Sequence, residues 1–401
     1  MENLNVIYIS YDGLSDPVGA SQIVPYVREL AKNGVNFSII SFEKNDLFDL
    51  KKESIKKQFE NLPISWYPCK YTKNPPIIST MIDLSKMKKL CKKICKEKKI
   101  DFIHARSYIP AMCAKKLFNK KNIPFIFDMR GFWADERVDG NIWSLKNPLF
   151  YLVFKFFKHQ EKLFLKKSKT IVSLTHSGKE LIHKKWNIPA EKIYVIPCAA
   201  DYELFNKTKV NLDFRKKYNI PKPEGKTLIY VGSTGTWYMI KEMIDFYLVF
   251  REKFPKSQFI FCVNSAHDAI LEDKKMLPDE IFSIEQVARN EMPAALSLAD
   301  YSILFIKPAF SKIASSPIKL GESLAMGIPA ICNANVGDLS DIEKSGFGIV
   351  VENFEKQEYA DACKRLSECH FDANEIREKS AEIYDLENNI KKYLSVYKLM
   401  K

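Results

Sequence analysis

Several protein classes are excluded by what this 401-residue sequence has little of. With 14 Gly and 19 Pro it is neither collagen-like nor a low-complexity chain. No stretch approaches 18 uninterrupted apolar residues, so no transmembrane helix is expected. Met1–Ser10 has no basic segment followed by an apolar one, so no signal peptide is expected either. Nine Cys, an odd number without close-spaced pairs of zinc-ligand type, argue against a disulfide framework and a structural zinc site. A reducing cytoplasmic setting follows, with any membrane contact peripheral, on the inner face. Asp-x-Asp, Gly-x-Ser-x-Gly and a Cys/His nucleophile setting are all absent. Gly225-Lys226-Thr227 lacks the Gly five residues earlier and leads into a strand, so it is no phosphate loop. Gly346-Phe347-Gly348 lacks a third Gly and reads as a turn.

Charge is plentiful and unevenly placed. Lys and Arg number 62 against 49 Asp and Glu, a formal +13. Residues 1–200 hold 35 basic and 19 acidic residues, a net +16, and the rest of the chain is slightly acidic. Such asymmetry points to an anionic partner for the first half, a membrane or a nucleic acid. Ser85–Lys99 has eight Lys, with Met87, Leu90, Cys91, Ile94 and Cys95 on one helical side. Tyr151–Lys169 interleaves Phe and Lys in the same way. Both read either as helices packed on a sheet with solvated lysines or as membrane-surface elements. No RNA- or DNA-binding motif accompanies them, and the aromatic spacing is that of a buried face.

Short apolar runs alternate with helical-period segments, the pattern of parallel sheets covered by helices. The expected strands are Val6–Ser10, Phe37–Phe42, Phe102–His104, Pro124–Asp128, Thr170–Thr175 and Tyr194–Pro197. A second set follows at Thr227–Gly232, Gln258–Val263, Ser302–Ile306, Pro329–Asn333 and Gly348–Val350. Two α/β Rossmann-like, doubly wound domains result, over 1–205 and 206–375. Between their strand sets Asp201–Lys226 is polar, with Pro221 and Pro223 and no strand pattern. Residues 376–401 form one or two helices, expected to pack back on the first domain.

The segment Ser315-Ser316-Pro317-Ile318-Lys319-Leu320-Gly321-Glu322 carries the most chemistry. Pro317 suits the first turn of a helix and Ser316 its cap. Free N–H groups at the helix start, two serine hydroxyls and Lys319 suit a diphosphate. Glu322 could accept hydrogen bonds from ribose hydroxyls. In the first half, Asp128-Met129-Arg130-Gly131-Phe132-Trp133-Ala134-Asp135-Glu136 leaves a strand end directly, where open α/β sheets bind ligands. Asp128 and Arg130 are catalytic candidates there, with Trp133 and Glu136 for an acceptor; internal pairs Asp128–Arg130 or Glu136–Arg137 are the alternative. His104 and Arg106 close the preceding strand, His104 as a catalytic candidate or a satisfied core histidine, Arg106 for the acceptor.

In this order the motifs resemble the retaining glycosyltransferases of the two-domain GT-B fold, in the large group called family 4. The resemblance covers nearly the whole chain. It includes the Gly19-Ala20-Ser21-Gln22 loop, Val195-Ile196-Pro197-Cys198-Ala199-Ala200-Asp201, Tyr230-Val231-Gly232-Ser233-Thr234-Gly235-Thr236-Trp237, Met292–Asp300, and Glu322 as the second Glu of the Glu-x7-Glu pattern. Ala314 stands where the first Glu would be, and the Arg and Lys that usually follow the Gly-rich loop are missing, so a variant with Ser-Pro-x-Lys before the Glu fits. The resemblance implies two domains facing across a cleft, and donor contacts from Gly19, Gly232, Ser233, Thr234, Gly235, Ser315, Ser316, Pro317, Ile318, Lys319 and Glu322. Lys307 or Lys312 would assist at the phosphates. It further implies transfer from a UDP- or GDP-linked sugar with retention of configuration, without metal or other cofactor, to a glycan or lipid-linked acceptor of the cell envelope. A sugar-nucleotide 2-epimerase on a similar fold is the first alternative, and a nucleic-acid-binding protein the second.

Overall fold

The computed structural model describes residues 3–264, 271 and 277–401. The chain divides into two compact units, one of Met1–Pro197 with Asn389–Lys401 and one of Cys198–Asn388. The polar Asp201–Lys226 stretch carries no strand and only short helical turns at Lys207–Lys209 and Phe214–Tyr218.

The first unit is a seven-stranded sheet: β1 (Leu4–Ser10), β2 (Val35–Glu43), β3 (Ile64–Lys70), β4 (Phe102–Arg106), β5 (Phe125–Asp128), β6 (Thr170–Ser173) and β7 (Ile193–Val195). Their order is β3-β2-β1-β4-β5-β6-β7, every pairing parallel. The second is a six-stranded parallel sheet of β8 (Thr227–Gly232), β9 (Gln258–Val263), β10 (Ile281–Glu285), β11 (Tyr301–Leu304), β12 (Ala330–Asn333) and β13 (Gly348–Val351). Its order is β10-β9-β8-β11-β12-β13. Both are therefore doubly wound α/β units. In each, the strand order reverses once, between β1 and β4 and between β8 and β11, and the loops at those carboxyl ends splay apart to leave a ligand crevice.

The central strands are the continuous apolar runs expected of a sheet covered on both faces; all but one residue of β1 and all of β9 are buried. Two strands were not expected, β3 and β10. Each lies at an edge and buries little of its length, so no apolar run marks it. Pro68 in β3 removes a ladder donor, which only an edge tolerates.

The lysine-rich segments are helices, Ile78–Glu97 and Pro148–Lys167. Met87, Cys91 and Ile94 of the first, and Phe157, Phe164 and Leu165 of the second, are buried, so these apolar positions pack inward. Ala373–Tyr384 and Leu386–Lys398 are two helices, and from Asn389 onward the chain belongs to the first unit. Gly19-Ala20-Ser21-Gln22, expected as a loop, is helical within Pro17–Gln22. Pro17 in the first turn pre-sets the helical φ. Among the described residues no helix is long and apolar enough to cross a membrane.

Candidate active site

In the second unit the expected donor residues gather at the switch point. The loop after β8 runs through Gly232, Ser233, Thr234, Gly235 and Thr236, and Tyr238 makes an antiparallel bridge to Ile306, just past β11. Lys319, in the first turn of the Ile318–Ala325 helix, reaches this loop. Its ammonium lies 3.5 Å from the centre of the Tyr238 ring and 4.8 Å from that of Tyr230, and donates to the Tyr230 hydroxyl at 3.2 Å. That hydroxyl donates to the Ser233 carbonyl at 2.5 Å, tying lysine to loop. Gly232 is required: its φ is +148° and a β-carbon would stand 2.0 Å from Lys319 Nζ. At Gly235 a β-carbon would meet nothing within 4 Å, so that side of the loop is open.

Burial costs the Lys319 ammonium its hydration and lowers its pKa to about 7, with Glu322 opposing the shift. The two ring faces are attractive to a cation but carry no net charge to hold the proton. A diphosphate would supply that charge.

Glu322 is buried and its Oε1 accepts from Arg289 at 2.8 Å. Arg289 also lies over the Phe205 ring, 5.4 Å from its centre. Ser316 does not cap the helix as expected: the N-cap is Pro317, without a side-chain cap. Serine Oγ instead accepts from the Cys198 N–H at 3.3 Å, because Pro317 takes the cap position and leaves Ser316 one residue too early. Ser315, Pro317 and Ile318 are half-buried beside it, and Lys307 is exposed, its N–H donating to the Trp237 carbonyl. Lys312 is buried, its ammonium 3.7 Å from the centre of the Trp237 ring.

The first unit collects its candidates at the carboxyl ends of β4 and β5. Asp128 is wholly buried. Around it stand His104 Nε2 at 3.2 Å, Arg106 at 3.6 Å, Arg130 at 3.7 Å and the Tyr393 hydroxyl at 3.4 Å. Burial alone would raise the Asp128 carboxyl, but Arg130, His104 and Arg106 together hold it at about 2. His104 is buried too, and burial lowers its pKa against the pull of Asp128. A carboxylate only accepts, so the neutral imidazole donates through Nε2 to Asp128 and accepts at Nδ1 from the Tyr397 hydroxyl, 2.7 Å away. His104 is thereby a satisfied core histidine. Arg106 also faces Asp12, 3.8 Å away on the loop after β1. Arg130 has a φ of +56° beside Gly131 at +117°, a bend that turns the chain sharply at the strand end.

Gly19 belongs to the first unit, whereas the other expected donor residues belong to the second. It is a close-packing position: a β-carbon would stand 1.9 Å from the Gly13 carbonyl. Glu43 fixes the same loop by accepting from the Leu14 and Ser15 N–H groups. Trp133 joins an aromatic group with Trp143 and Phe157, with Arg137 over its ring. Glu136 is half-buried one turn along the Trp133–Asp139 helix.

Sequence reasoning missed Arg289, Tyr238, Asp12, Tyr393 and Tyr397. Tyr238 directly follows the Gly-rich run and could have been found there. The two C-terminal tyrosines lie more than 260 residues from their partners, and no local pattern marks them.

The family model described as Glycosyltransferase Family 4 matches residues 21–204, and that described as Glycosyl transferases group 1 matches residues 211–383. A Bacillus subtilis (strain 168) protein, assigned to teichuronic acid biosynthesis as the glycosyltransferase TuaH, is 24% identical over 284 residues, 68% of this chain and 67% of that protein. Among solved structures, a glycosyltransferase from Rickettsia africae matches with a TM-score of 0.72 at 14% identity, covering 100% of this chain and 99% of its own. Anabaena Alr3699/HepE, in complex with UDP and glucose, matches with a TM-score of 0.66 at 11% identity, covering 99% of this chain and 100% of its own. These two likenesses establish the GT-B fold. With two transferase domains matched almost continuously from residue 21 to residue 383, the chain belongs to the glycosyltransferases, its first half of the Family 4 type and its second of the group 1 type.

Proposed function

We propose that this glycosyltransferase takes a sugar from a nucleoside-diphosphate donor, UDP- or GDP-linked, and transfers it with retention of configuration to a glycan or lipid-linked acceptor of the cell envelope, without a metal. The observation that carries this reading is Lys319, a desolvated ammonium at the switch point of the second sheet, resting against the loop from Gly232. Loss of a nucleoside diphosphate leaves negative charge on the β-phosphate. Lys319 and the N–H groups at the start of the Ile318–Ala325 helix, which lack intrahelical partners at that end, would neutralise it as it develops. Glu322 has acceptor capacity beyond the one bond from Arg289, and ribose hydroxyls are suited to it.

Asp128 bears on the proton. Held at about 2, it is too weak a base to deprotonate an acceptor hydroxyl at neutral pH. That favours a same-face transfer in which the leaving phosphate receives the proton. Asp128 then serves to fix Arg106 and Arg130 at the strand ends. The complex of Alr3699/HepE with UDP and glucose and the teichuronic acid assignment of TuaH agree in kind with a nucleotide-sugar donor and an envelope acceptor.

Calorimetric titration with UDP, GDP, ADP and CMP sugars tests the donor. One of the first two is expected to bind, and Lys319→Ala to weaken it by about 1–3 kcal/mol, the range of a charge-assisted hydrogen bond. Incubation of the donor with acceptor and chelator, followed by NMR of the product anomer, tests retention and metal independence. Rapid epimerisation of the donor without acceptor would replace transfer with the 2-epimerase reading.

A further inference from the structure

Two groups of large, partly exposed apolar side chains lie on the first unit, in the first halves of two helices. In the Ile78–Glu97 helix they are Ile78, Met81 and Ile82, with Met81 65% exposed. In the Pro148–Lys167 helix they are Leu149, Leu152 and Phe156, exposed by 55%, 64% and 45%. The topology puts them at one edge. All strands of this sheet are parallel, so a helix following a strand begins at the carboxyl edge. The first helix follows β3, and the second follows β5 after one short helix. Both pack against the Tyr108–Lys121 helix between them, which places them on one face of the sheet. Asp12, Arg106 and Arg130 occupy the same carboxyl edge.

The charge on these two segments is mostly of one sign. Residues 141–169 contain seven Lys and a single acid, Glu161, which is buried and paired with Lys158. Residues 78–99 contain eight Lys and two acids, of which Asp83 is buried and paired with Lys86. Leu149, Leu152 and Phe156 are spaced three and four apart, so they share one helical face. The same stripe continues into His159 and Lys166, both exposed. An apolar tip leading into a lysine-covered flank is the pattern of an element that lies in a lipid interface. A second copy of the chain is the wrong partner for it, because a symmetric contact would set lysine array against lysine array.

We infer that the carboxyl edge of the first unit docks on an anionic lipid bilayer. Leu149, Leu152 and Phe156 on one helix, and Ile78, Met81 and Ile82 on the other, enter the interface, while the flanking lysines meet lipid phosphates. The inference deepens the lipid-linked acceptor reading, since it brings the edge that holds Arg106 and Arg130 down to the surface where such an acceptor resides.

The test is sedimentation of the full chain with phosphatidylcholine vesicles, with and without about a third of phosphatidylglycerol. The wild-type chain is expected to pellet with the anionic vesicles. Replacing Leu149, Leu152 and Phe156 by Ser should lower partitioning by roughly tenfold, and Lys155→Glu with Lys162→Glu by a comparable factor. Nucleotide binding should hold in both variants and the melting temperature should fall only slightly, because these side chains are largely exposed and lose only the Phe156–Phe157 and Lys155–Tyr151 contacts. Absence of wild-type binding, equal binding to both vesicle types, or wild-type binding by the serine variant would overturn the proposal. So would a wild-type dimer in solution that the serine variant splits. Transfer to a lipid-linked acceptor carried in the same vesicles, measured on the same samples, separates the two readings: vesicle binding without such transfer would fail the acceptor reading and leave the lipid surface standing.

Discussion

Lys319 and Asp128 solve opposite electrostatic problems with burial. At Lys319 the lost hydration outweighs the pull of Glu322, and the pKa falls to about 7; at Asp128 two arginines and a histidine outweigh burial, and the pKa falls to about 2. For Lys319 the proposed diphosphate would restore the proton. Donor binding at pH 8 should therefore take up close to one proton, seen as a dependence of calorimetric enthalpy on buffer ionisation heat, and affinity should decline as pH rises through 7. Lys319→Met should abolish the uptake. For Asp128 the folded pKa lies below the unfolded value of about 3.9, so its stabilisation is fully present above about pH 4 and is lost as pH falls from 4 towards 2. Asp128→Asn should cost about 3 kcal/mol at neutral pH, because Arg106 and Arg130 are left inside without their countercharge, and should flatten that acid limb in a melting series. Lys319 was legible in the sequence as a lysine one turn before an acid at a helix start. That its ammonium would rest on Tyr238 and Tyr230 was not, since those rings come from another strand and loop.

The strand-to-loop junctions of the second sheet set how near the charged groups come to a ligand. Gly232→Ala should abolish donor binding while the fold survives. The new methyl would take the place of the Lys319 ammonium, and the backbone there has a φ that L residues rarely adopt. Titration of the folded variant checks it, and wild-type affinity would remove this loop from the site. Central strands and the Ile318–Ala325 helix were readable because burial on both faces forces continuous apolar runs and because Pro317 and Gly327 punctuate the helix. Edge strands β3 and β10 were not, since half of each faces outward and composition no longer reports the state. The lysine-rich helices were readable as amphipathic, while which apolar side chains stay uncovered in their first halves is decided by tertiary packing.

Over the whole chain, the C-terminal segment has a consequence for the first unit. Ile390, Tyr393, Val396, Tyr397 and Met400 are buried, and the two tyrosines hydrogen-bond to Asp128 and His104. Truncation after Asn388 should destabilise the first unit by more than about 5 kcal/mol, at roughly 1.5–3 kcal/mol per large buried side chain, and leave nucleotide affinity in the second unit intact. Calorimetry would show a lowered transition for the first unit; an unchanged scan would mean that the segment contributes little. The charge split between the two halves was present in the sequence, and so were the two α/β units and the lysine at the start of the Ile318–Ala325 helix, because all of these follow from local period, punctuation and composition. Tertiary structure alone decided that Glu322 meets Arg289, that Asp128 is locked among cations beneath the end of the chain, and that the apolar helix tips share an edge with Arg106 and Arg130. Those facts depend on which strand lies beside which and on what remains uncovered after packing, and neither leaves a mark on the residues nearest in sequence.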